Sequence, residues 1–306
     1  MNVSSRLEEA EREWEAVWLS LKKVVNMVAK IIDGKKMADA ILEEVKKEVA
    51  SLSPKPCLAL VIVGDNPASL VYTKKKADDC RKVGIESRSI RLPSSASEQK
   101  IVAEIQKLNT DKAVDGILVQ LPLPNGIDEE KILAEVLPEK DVDGFHPENF
   151  GKAALGIGKI LPCTPKGVVH MLKESGVKLA GKHAVVIGRS RIVGKPLALL
   201  LLNENCTVTV CHSKTKDIGE ITRKADIICV AVGKPRMLTS DMVREGVIVV
   251  DVGMNREGEK LVGDVDFDAV AKKASLITPV PGGVGPMTRA VLLQNTLECY
   301  KSRRGR

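Results

Sequence analysis

Lys182-His183-Ala184-Val185-Val186-Ile187-Gly188-Arg189-Ser190-Arg191-Ile192-Val193-Gly194-Lys195-Pro196 is the stretch that decides the fold. An apolar, β-branched run stops at Gly188, a turn of Gly, Ser and Arg follows, and Pro196-Leu197-Ala198-Leu199-Leu200-Leu201-Leu202 reads as a buried helix. A strand feeding a tight turn and a helix N-terminus offers unspent backbone N–H groups and the positive end of a helix dipole. Such a turn suits an anion, most often a nucleotide pyrophosphate. Against the three-glycine dinucleotide pattern, Gly188 matches the first position, Ser190 replaces the second, and Gly194 comes one residue late. Taken alone, the turn fits a nucleotide site and an ordinary α/β strand-to-helix turn alike.

Outward from this turn the chain alternates strands and helices. Upstream, the helix Lys36 to Leu52 leads to the buried strand Cys57-Leu58-Ala59-Leu60-Val61-Ile62-Val63. A helix from about Ala68 to Val83, closed by Gly84, follows, and then a strand from Ser87 to Leu92, a helix from Glu98 to Leu108 and the strand Gly116 to Gln120. Downstream, strands are expected at 207–211, 227–232 and 247–252, with helices at 195–204 and 217–224 and a last helix at 287–302. This alternation predicts an α/β fold of two α/β domains, each with a parallel sheet. The second, which carries the glycine turn, is expected to be Rossmann-like, with a cleft between the two where the carboxyl ends of strands gather ligands. Three polar clusters fall at strand ends: Asp65 to Lys76, Gln120 to Pro124 and Asp141 to His146. Pro279-Val280-Pro281-Gly282-Gly283-Val284-Gly285-Pro286 is expected to be neither plain strand nor helix, and one of its X-Pro bonds is a candidate for cis.

Composition narrows the function classes. The net charge of +7, from 47 basic and 40 acidic residues, suits anionic small molecules, and no zinc-finger spacing or aromatic-basic stripe points to nucleic acid. The seven cysteines include no C-x-x-C pair and lie mostly in apolar runs, as buried thiols of a reducing compartment do; neither staples nor metal ligands are expected. No apolar run reaches the length of a membrane span, which leaves the cytoplasm as the expected location. Residues 6–24 carry Trp14, Val17, Trp18, Leu21 and Val24 on one helical stripe, read as an accessory surface helix.

Because only 2% of residues are aromatic, an aromatic on a polar segment is informative, and Tyr72 is one. Tyr72 and Lys76 stand four apart on one helical face, so ring stacking and ammonium chemistry address one cleft, although Lys74-Lys75-Lys76 alone reads as a solvated run. Gln120 ends a strand before Leu121-Pro122, placed to bond a ligand and a neighbouring lysine or simply to cap the strand. Asp141 and Asp143 precede a glycine turn; Asp143, directly before the glycine, is the freer to accept paired N–H donors, and either can instead be a turn-former. After the strand that follows the glycine turn, where an acid would hold an NAD ribose, the chain has Cys211-His212-Ser213-Lys214. With no carboxylate there, a 2′-phosphate can sit near Ser213 and the forked donors of Arg189, so NADP is preferred over NAD.

Six ordered motifs together resemble the bifunctional methylenetetrahydrofolate dehydrogenase/methenyltetrahydrofolate cyclohydrolase family. They are Tyr72-x-x-x-Lys76, Val119 to Pro124, Lys140 to Gly144, Pro162-Cys163-Thr164-Pro165-Lys166-Gly167, Gly188 to Pro196 and Pro279 to Thr288. The resemblance spans about residues 28–300. It implies oxidation of 5,10-methylenetetrahydrofolate with NADP⁺ and hydrolysis of the methenyl product to 10-formyltetrahydrofolate. It implies catalytic roles for Lys76 as proton handler, Gln120 and Tyr72, with Leu121, Pro122, Asp143, Pro281, Gly282 and Gly283 joining Tyr72 and Gln120 at the folate. The cofactor positions it implies are Thr164, Gly188, Arg189, Ser190, Ile192, Val193, His212, Ser213 and Gly233. Residues 1–27 would be a helical extension without counterpart, 28–165 with 287–306 the folate-binding catalytic domain, and 166–286 the NADP-binding domain. A homodimer paired through the cofactor domains is also implied. A dehydrogenase without the hydrolase, a different NADP-dependent dehydrogenase, a folate- or nucleotide-binding protein without turnover and a basic protein that binds nucleic acid are the alternatives.

Overall fold

The computed structural model describes residues 29–258 and 260–305, so the expected helical extension at 1–27, with its Trp14 to Val24 stripe, lies outside the described residues. In chain order the strands are β1 (Lys30–Ile31), β2 (Cys57–Val63), β3 (Glu86–Leu92), β4 (Gly116–Val119), β5 (His183–Ile187), β6 (Thr207–Cys211), β7 (Ile227–Val230), β8 (Ile248–Asp251), β9 (Asn255–Glu257), β10 (Lys260–Val262) and β11 (Leu276–Ile277). The helices that matter here are α1 (Gly34–Ala50), α2 (Pro67–Val83), α3 (Glu98–Thr110), α4 (Glu129–Ala134), α5 (Pro147–Ala154), α6 (Cys163–Glu174), α7 (Gly194–Asn203), α8 (Ile218–Thr222), α9 (Phe267–Val270) and α10 (Val284–Arg304).

Two parallel sheets carry the chain. The smaller has the order β3-β2-β4, and the larger β1-β11-β8-β7-β5-β6. Residues Cys57 to Val63 are buried along their whole length, as a central parallel strand covered on both faces requires. β3 runs Glu-Ser-Arg-Ser-Ile-Arg-Leu and is mostly exposed, which suits an edge. Side-chain alternation splits each sheet between two cores. Ala184 and Val186 face a large shared core with α6, α7 and α10, whereas Val185 and Ile187 face a second core together with Ile228 and Val230 of β7. Leu58 and Leu60 of the small sheet join that same shared core, so α1, α6 and α10 fill the space between the sheets.

Three departures from the sequence reading follow from tertiary contacts. β1 is too short for a periodicity signal and exists because Lys30 and Ile31 pair with Leu276 and Ile277, so the residues just before α1 join the larger sheet. The last helix begins at Val284, three residues earlier than expected, so Val284-Gly285-Pro286 forms its first turn and not an irregular loop. A proline there forfeits no helical bond, because first-turn N–H groups have no partner. Helices α4 and α5 and the β9-β10 hairpin lie outside the expected elements; each is eight residues or fewer, and α5 begins where the His146 ring accepts from Glu148 N at 3.1 Å.

The fold aims strand ends at one place. β5 is followed by β6 on one side and β7 on the other, so strand order reverses at the carboxyl end of β5, where the glycine turn lies. All seven cysteines are buried and unpaired. Among the described residues no helix is long and apolar enough to cross a membrane, and no cluster of three or more His, Cys, Asp or Glu is placed to hold a metal.

Candidate active site

A cavity of about 540 Å³ opens between the carboxyl ends of the two sheets. On the small-sheet side, α2 presents the chemistry. Its start is set by Asn66, whose side chain accepts from Ala68 N and Ser69 N at 3.0 and 3.2 Å, with Pro67 in the first turn, and its end by Gly84 in the left-handed region. Tyr72 and Lys76 therefore stand one turn apart and both line the cavity. The Lys76 ammonium donates to Gln120 Oε1 at 3.0 Å. Gln120 Nε2 donates to the Leu121 carbonyl at 2.6 Å, which orients the amide so that its oxygen faces the lysine. Gln120 N extends the ladder to Val61 O at 2.9 Å, and the Leu121-Pro122 bond is cis, turning the chain away at the cavity wall. Among the described residues Lys76 makes no salt bridge.

The two aspartates of Asp141-Val142-Asp143-Gly144 separate cleanly. Asp141 accepts from Gly144 N, His146 N and Asn149 Nδ2 at 3.1, 2.8 and 2.9 Å, so it shapes the turn. Asp143 lines the cavity instead, and burial pushes its carboxyl up to about 6, with Asp141 adding to the rise and the Lys76 charge and the Cys163 thiol opposing it. Facing it, the Pro281-Gly282-Gly283 loop closes the wall. Val280-Pro281 is cis, Gly282 has φ +107°, and its carbonyl accepts from Lys35 N at 3.0 Å. A side chain at Gly34 would strike the Gly283 carbonyl at 2.0 Å, so α1 starts directly against this loop.

On the large-sheet side the site is built from backbone. Gly188 has φ +122°, and a Cβ there would lie 2.3 Å from the Ala231 carbonyl; one at Gly194 would lie 2.2 Å from the Gly188 carbonyl. Ser190 Oγ accepts from Val193 N and Gly194 N at 3.2 and 3.3 Å, closing the turn. The amides of Arg189, Ser190, Arg191 and Ile192 have no acceptor among the described residues, and that is the donor set a phosphate requires. The turn therefore fits a dinucleotide. Ile192, Val193 and Thr164 reach the shared cavity, and Thr164 Oγ1 lies 3.0 Å from Thr288 Oγ1. Gly188, Arg189, Ser190, His212, Ser213 and Gly233 lie outside the cavity wall, on the turns after β5, β6 and β7; Pro122 is outside it as well. His212 is occupied locally, its N donating to Thr215 Oγ1 at 2.9 Å and its ring accepting from Lys214 N at 3.2 Å.

Sequence reading missed the buried pair that shapes the cofactor-side loops. Asp264 is fully buried and accepts from Val232 N, Gly233 N and Lys234 N at 2.7, 2.9 and 2.8 Å, and from Asn255 Nδ2 at 2.8 Å. Asp251 accepts from Gly253 N, Asp264 N and Val265 N, and burial raises it to about 6 against those bonds. The local signal for them is the spacing of small residues: a side chain at Gly253 would strike Asp264, and one at Gly263 would strike Asp251. Two contacts bridge the cleft, Tyr72 hydroxyl to the Met254 sulfur and Arg191 of the glycine turn to Glu130 of α4.

Two adjacent stretches match family descriptions: residues 32–143 match the tetrahydrofolate dehydrogenase/cyclohydrolase catalytic domain, and residues 162–304 match its NAD(P)-binding domain. The bifunctional protein FolD of Exiguobacterium sibiricum is 52% identical over 277 residues, covering 90% of this chain and 100% of that protein. The crystal structure of the bifunctional FolD methylenetetrahydrofolate dehydrogenase/cyclohydrolase of Campylobacter jejuni superposes with a TM-score of 0.88 at 52% identity, covering 90% of this chain and 99% of that one. A Trypanosoma brucei methylenetetrahydrofolate dehydrogenase-cyclohydrolase complexed with NADP cofactor and inhibitor gives a TM-score of 0.87 at 40% identity, covering 90% of this chain and 98% of that one. At such identity across nearly the whole of each relative, the chain belongs to the tetrahydrofolate dehydrogenase/cyclohydrolase family.

Proposed function

We propose that the chain oxidises 5,10-methylenetetrahydrofolate to the 5,10-methenyl cation with NADP⁺ and hydrolyses that cation to 10-formyltetrahydrofolate, both in the one cavity. The observation that carries this reading is the Lys76 Nζ to Gln120 Oε1 bond of 3.0 Å inside a cavity whose other wall is the end of the glycine turn. NADP⁺, when bound, supplies a hydride acceptor. The folate nitrogens expel the hydride, so the protein's task in that step is alignment. Tyr72 stacks on the folate and Pro281-Gly282-Gly283 walls its far side, with Leu121 and Pro122 bounding the strand-end edge. Asp143, in its ionised form, accepts from the pterin amino group and ring N–H.

Hydration needs more, because water must lose a proton and a ring nitrogen must be released. Lys76 holds or moves that proton at Nζ, and Gln120 keeps the ammonium aimed into the cavity. The turn from Gly188 to Val193 and the loops at Thr164, His212-Ser213 and Gly233 hold the cofactor. Selection of NADP over NAD is supported by the lack of any acid in Cys211-His212-Ser213-Lys214 and by the exposed Arg189, whose forked donors suit a 2′-phosphate. A homodimer through the cofactor domains is supported by β6, an edge strand of the larger sheet with Val210 38% exposed. The seven buried thiols support a reducing, cytoplasmic setting.

The test mixes purified protein with methylenetetrahydrofolate and NADP⁺ or NAD⁺ and follows the reduced cofactor and the methenyl product separately. Reduction without turnover of the methenyl species would leave a dehydrogenase alone.

A further inference from the structure

A second cavity, of about 440 Å³, shares no lining residue with the catalytic one. It sits where α5 and the turn after it meet α6 and α7, and its size suits a small ligand. Its walls are tied together. Asn203 Nδ2 of α7 donates to the Ala153 carbonyl of α5 at 2.8 Å, and the Lys173 ammonium of α6 donates to both carboxylate oxygens of Glu204 at 3.0 Å. Ala153, Val169 and Leu200 supply apolar lining.

One face of α6 supplies the charge. Lys166, Val169, His170 and Lys173 follow the three- and four-residue spacing of a single helical stripe, and all line the cavity. Lys173 is neutralised by Glu204. Lys166 makes no salt bridge among the described residues, and its ammonium donates only to the amide oxygen of Asn295, at 3.2 Å. Burial holds it below the ordinary lysine range against the opposing influence of Cys163 and Glu298, and Glu298 is itself taken up by Lys301 at 3.4 Å. The His170 ring, half-buried one turn along, has no hydrogen-bond partner among the described residues. Of the two acids at the cavity, Glu204 is spent and Glu174 is exposed at the end of α6. A partly desolvated cation without a counter-ion is costly, and an oxyanion between Lys166 and His170 would supply what is missing.

The same ammonium is linked to the catalytic cavity. Asn295, fully buried on α10, accepts from Lys166 and donates through Nδ2 to the carbonyls of Val142 and Leu161 at 2.9 and 2.8 Å and to the Cys163 sulfur at 3.5 Å. Cys163 lines the catalytic cavity, and its thiol donates to the Val142 carbonyl at 3.3 Å. Val142 stands directly before Asp143 in the chain, and Leu161 lines the second cavity. One buried amide therefore joins the Lys166 ammonium to the backbone that carries Asp143, so a pull on Lys166 is felt there.

We propose that the second cavity binds a small organic anion, its oxyanion head held by Lys166 and His170 and its apolar body against Ala153, Val169 and Leu200, and that this anion tunes folate binding through Asn295. Drawing Lys166 toward the anion weakens its bond to Asn295 and frees that amide to shift against Val142. KM for the folate then rises. The binding stands independently of the folate reading above, and the effect on KM rests on it.

The probes are phenyl phosphate and benzoate, titrated calorimetrically into the intact protein with saturating NADP⁺ and 5-formyltetrahydrofolate occupying the first cavity. Binding is expected in the intact protein, and affinity about tenfold lower or worse in Lys166→Met and in His170→Gln, each lacking one charge-assisted contact. Tighter binding of phenyl phosphate assigns a phosphate head, and of benzoate a carboxylate. His170→Gln breaks no bond within the protein, so the test stands even if Lys166→Met folds poorly. No binding of either probe, or binding undiminished by the substitutions, overturns the site. In steady-state assays the tighter probe is expected to raise KM for 5,10-methylenetetrahydrofolate at least about fivefold, with no such rise in the variants, and an unchanged KM with the probe bound overturns the coupling. Failure to oxidise the folate at all would defeat the functional reading alone, since probe binding is measured without turnover.

Discussion

The two walls of the cavity recognise by different means. The α2 and β4 wall works with side chains: Lys76, Gln120, Tyr72 and Asp143 project reactive or polar atoms, and a single bond of 3.0 Å sets the relation between lysine and amide. The wall after β5 and β7 works with backbone: a turn that only glycine can make at Gly188 and Gly194, unspent amides from Arg189 to Ile192, and a loop at 232–234 pinned by a carboxylate beneath it. Replacing a side chain on the first wall should remove one chemical step. Disturbing the second should change cofactor binding and stability together.

The sharpest break between the walls is Lys76→Met. Hydration of methenyltetrahydrofolate should fall by about 10²- to 10⁴-fold, the usual worth of a positioned proton-transfer group, while NADP-dependent oxidation stays measurable. The decay of methenyl absorbance checks this, and a wild-type hydration rate would remove Lys76 from its role.

Next in size, Asp264→Ala should cost stability by about 3 kcal/mol or more, because it leaves the buried N–H groups of residues 232–234 without an acceptor. Urea unfolding reads the loss. Asp264→Asn should recover part of it, and KM for NADP⁺ should rise more than KM for the folate. If both Michaelis constants move equally, the carboxylate does not serve the cofactor wall in particular.

Arg189→Ala should weaken NADP⁺ by about 10- to 100-fold, the range for a charge-assisted contact, and NAD⁺ much less. Equal weakening of both cofactors, read from their KM values, would defeat the 2′-phosphate argument.

A pH profile follows from Asp143, whose carboxyl is raised to about 6 mainly by burial. The raised value means the folded state favours the protonated form, so this group's contribution to stability is full below its ordinary range and is lost as pH rises through about 6. Folate binding needs the ionised acceptor and runs the other way, so KM for the folate should fall as pH rises from about 5 to 7. Asp251, also raised to about 6, titrates in the same window. Asp143→Asn therefore decides, and a profile unchanged in that variant would assign the titration elsewhere. The smallest effect belongs to the strap between the walls. Arg191 and Glu130 are 62% and 61% exposed, so Glu130→Gln should change stability by less than about 1 kcal/mol in thermal unfolding.

How much was legible differed between the walls for the same reason. Lys76 four residues after Tyr72, Gln120 at a strand end before two prolines, and Asp143 before a glycine are local patterns, and the fold brings Lys76 and Gln120 into contact and lines one cavity with Tyr72, Lys76, Gln120 and Asp143. The glycine turn was equally local. Asp264 acts on residues about thirty positions earlier, Arg289 is fixed by Asp79, and β1 depends on Leu276 and Ile277. No periodicity within any of these segments announces a partner so distant.

By itself, then, the sequence determined what short-range physics controls: the alternation of β-branched strands with amphipathic helices, the glycine positions at Gly188 and Gly194 where a side chain would collide with backbone, and the residue types available at each strand end. The tertiary structure alone decided that Asp141 is spent on the amides of its own turn and on Asn149, which buried acids pin the loops at 232–234 and 253–265, and how Arg289 of the last helix comes to be anchored on Asp79 of α2. Those outcomes depend on desolvation and on hydrogen bonds between residues far apart in the chain, which exist only once the two sheets have closed on their shared core.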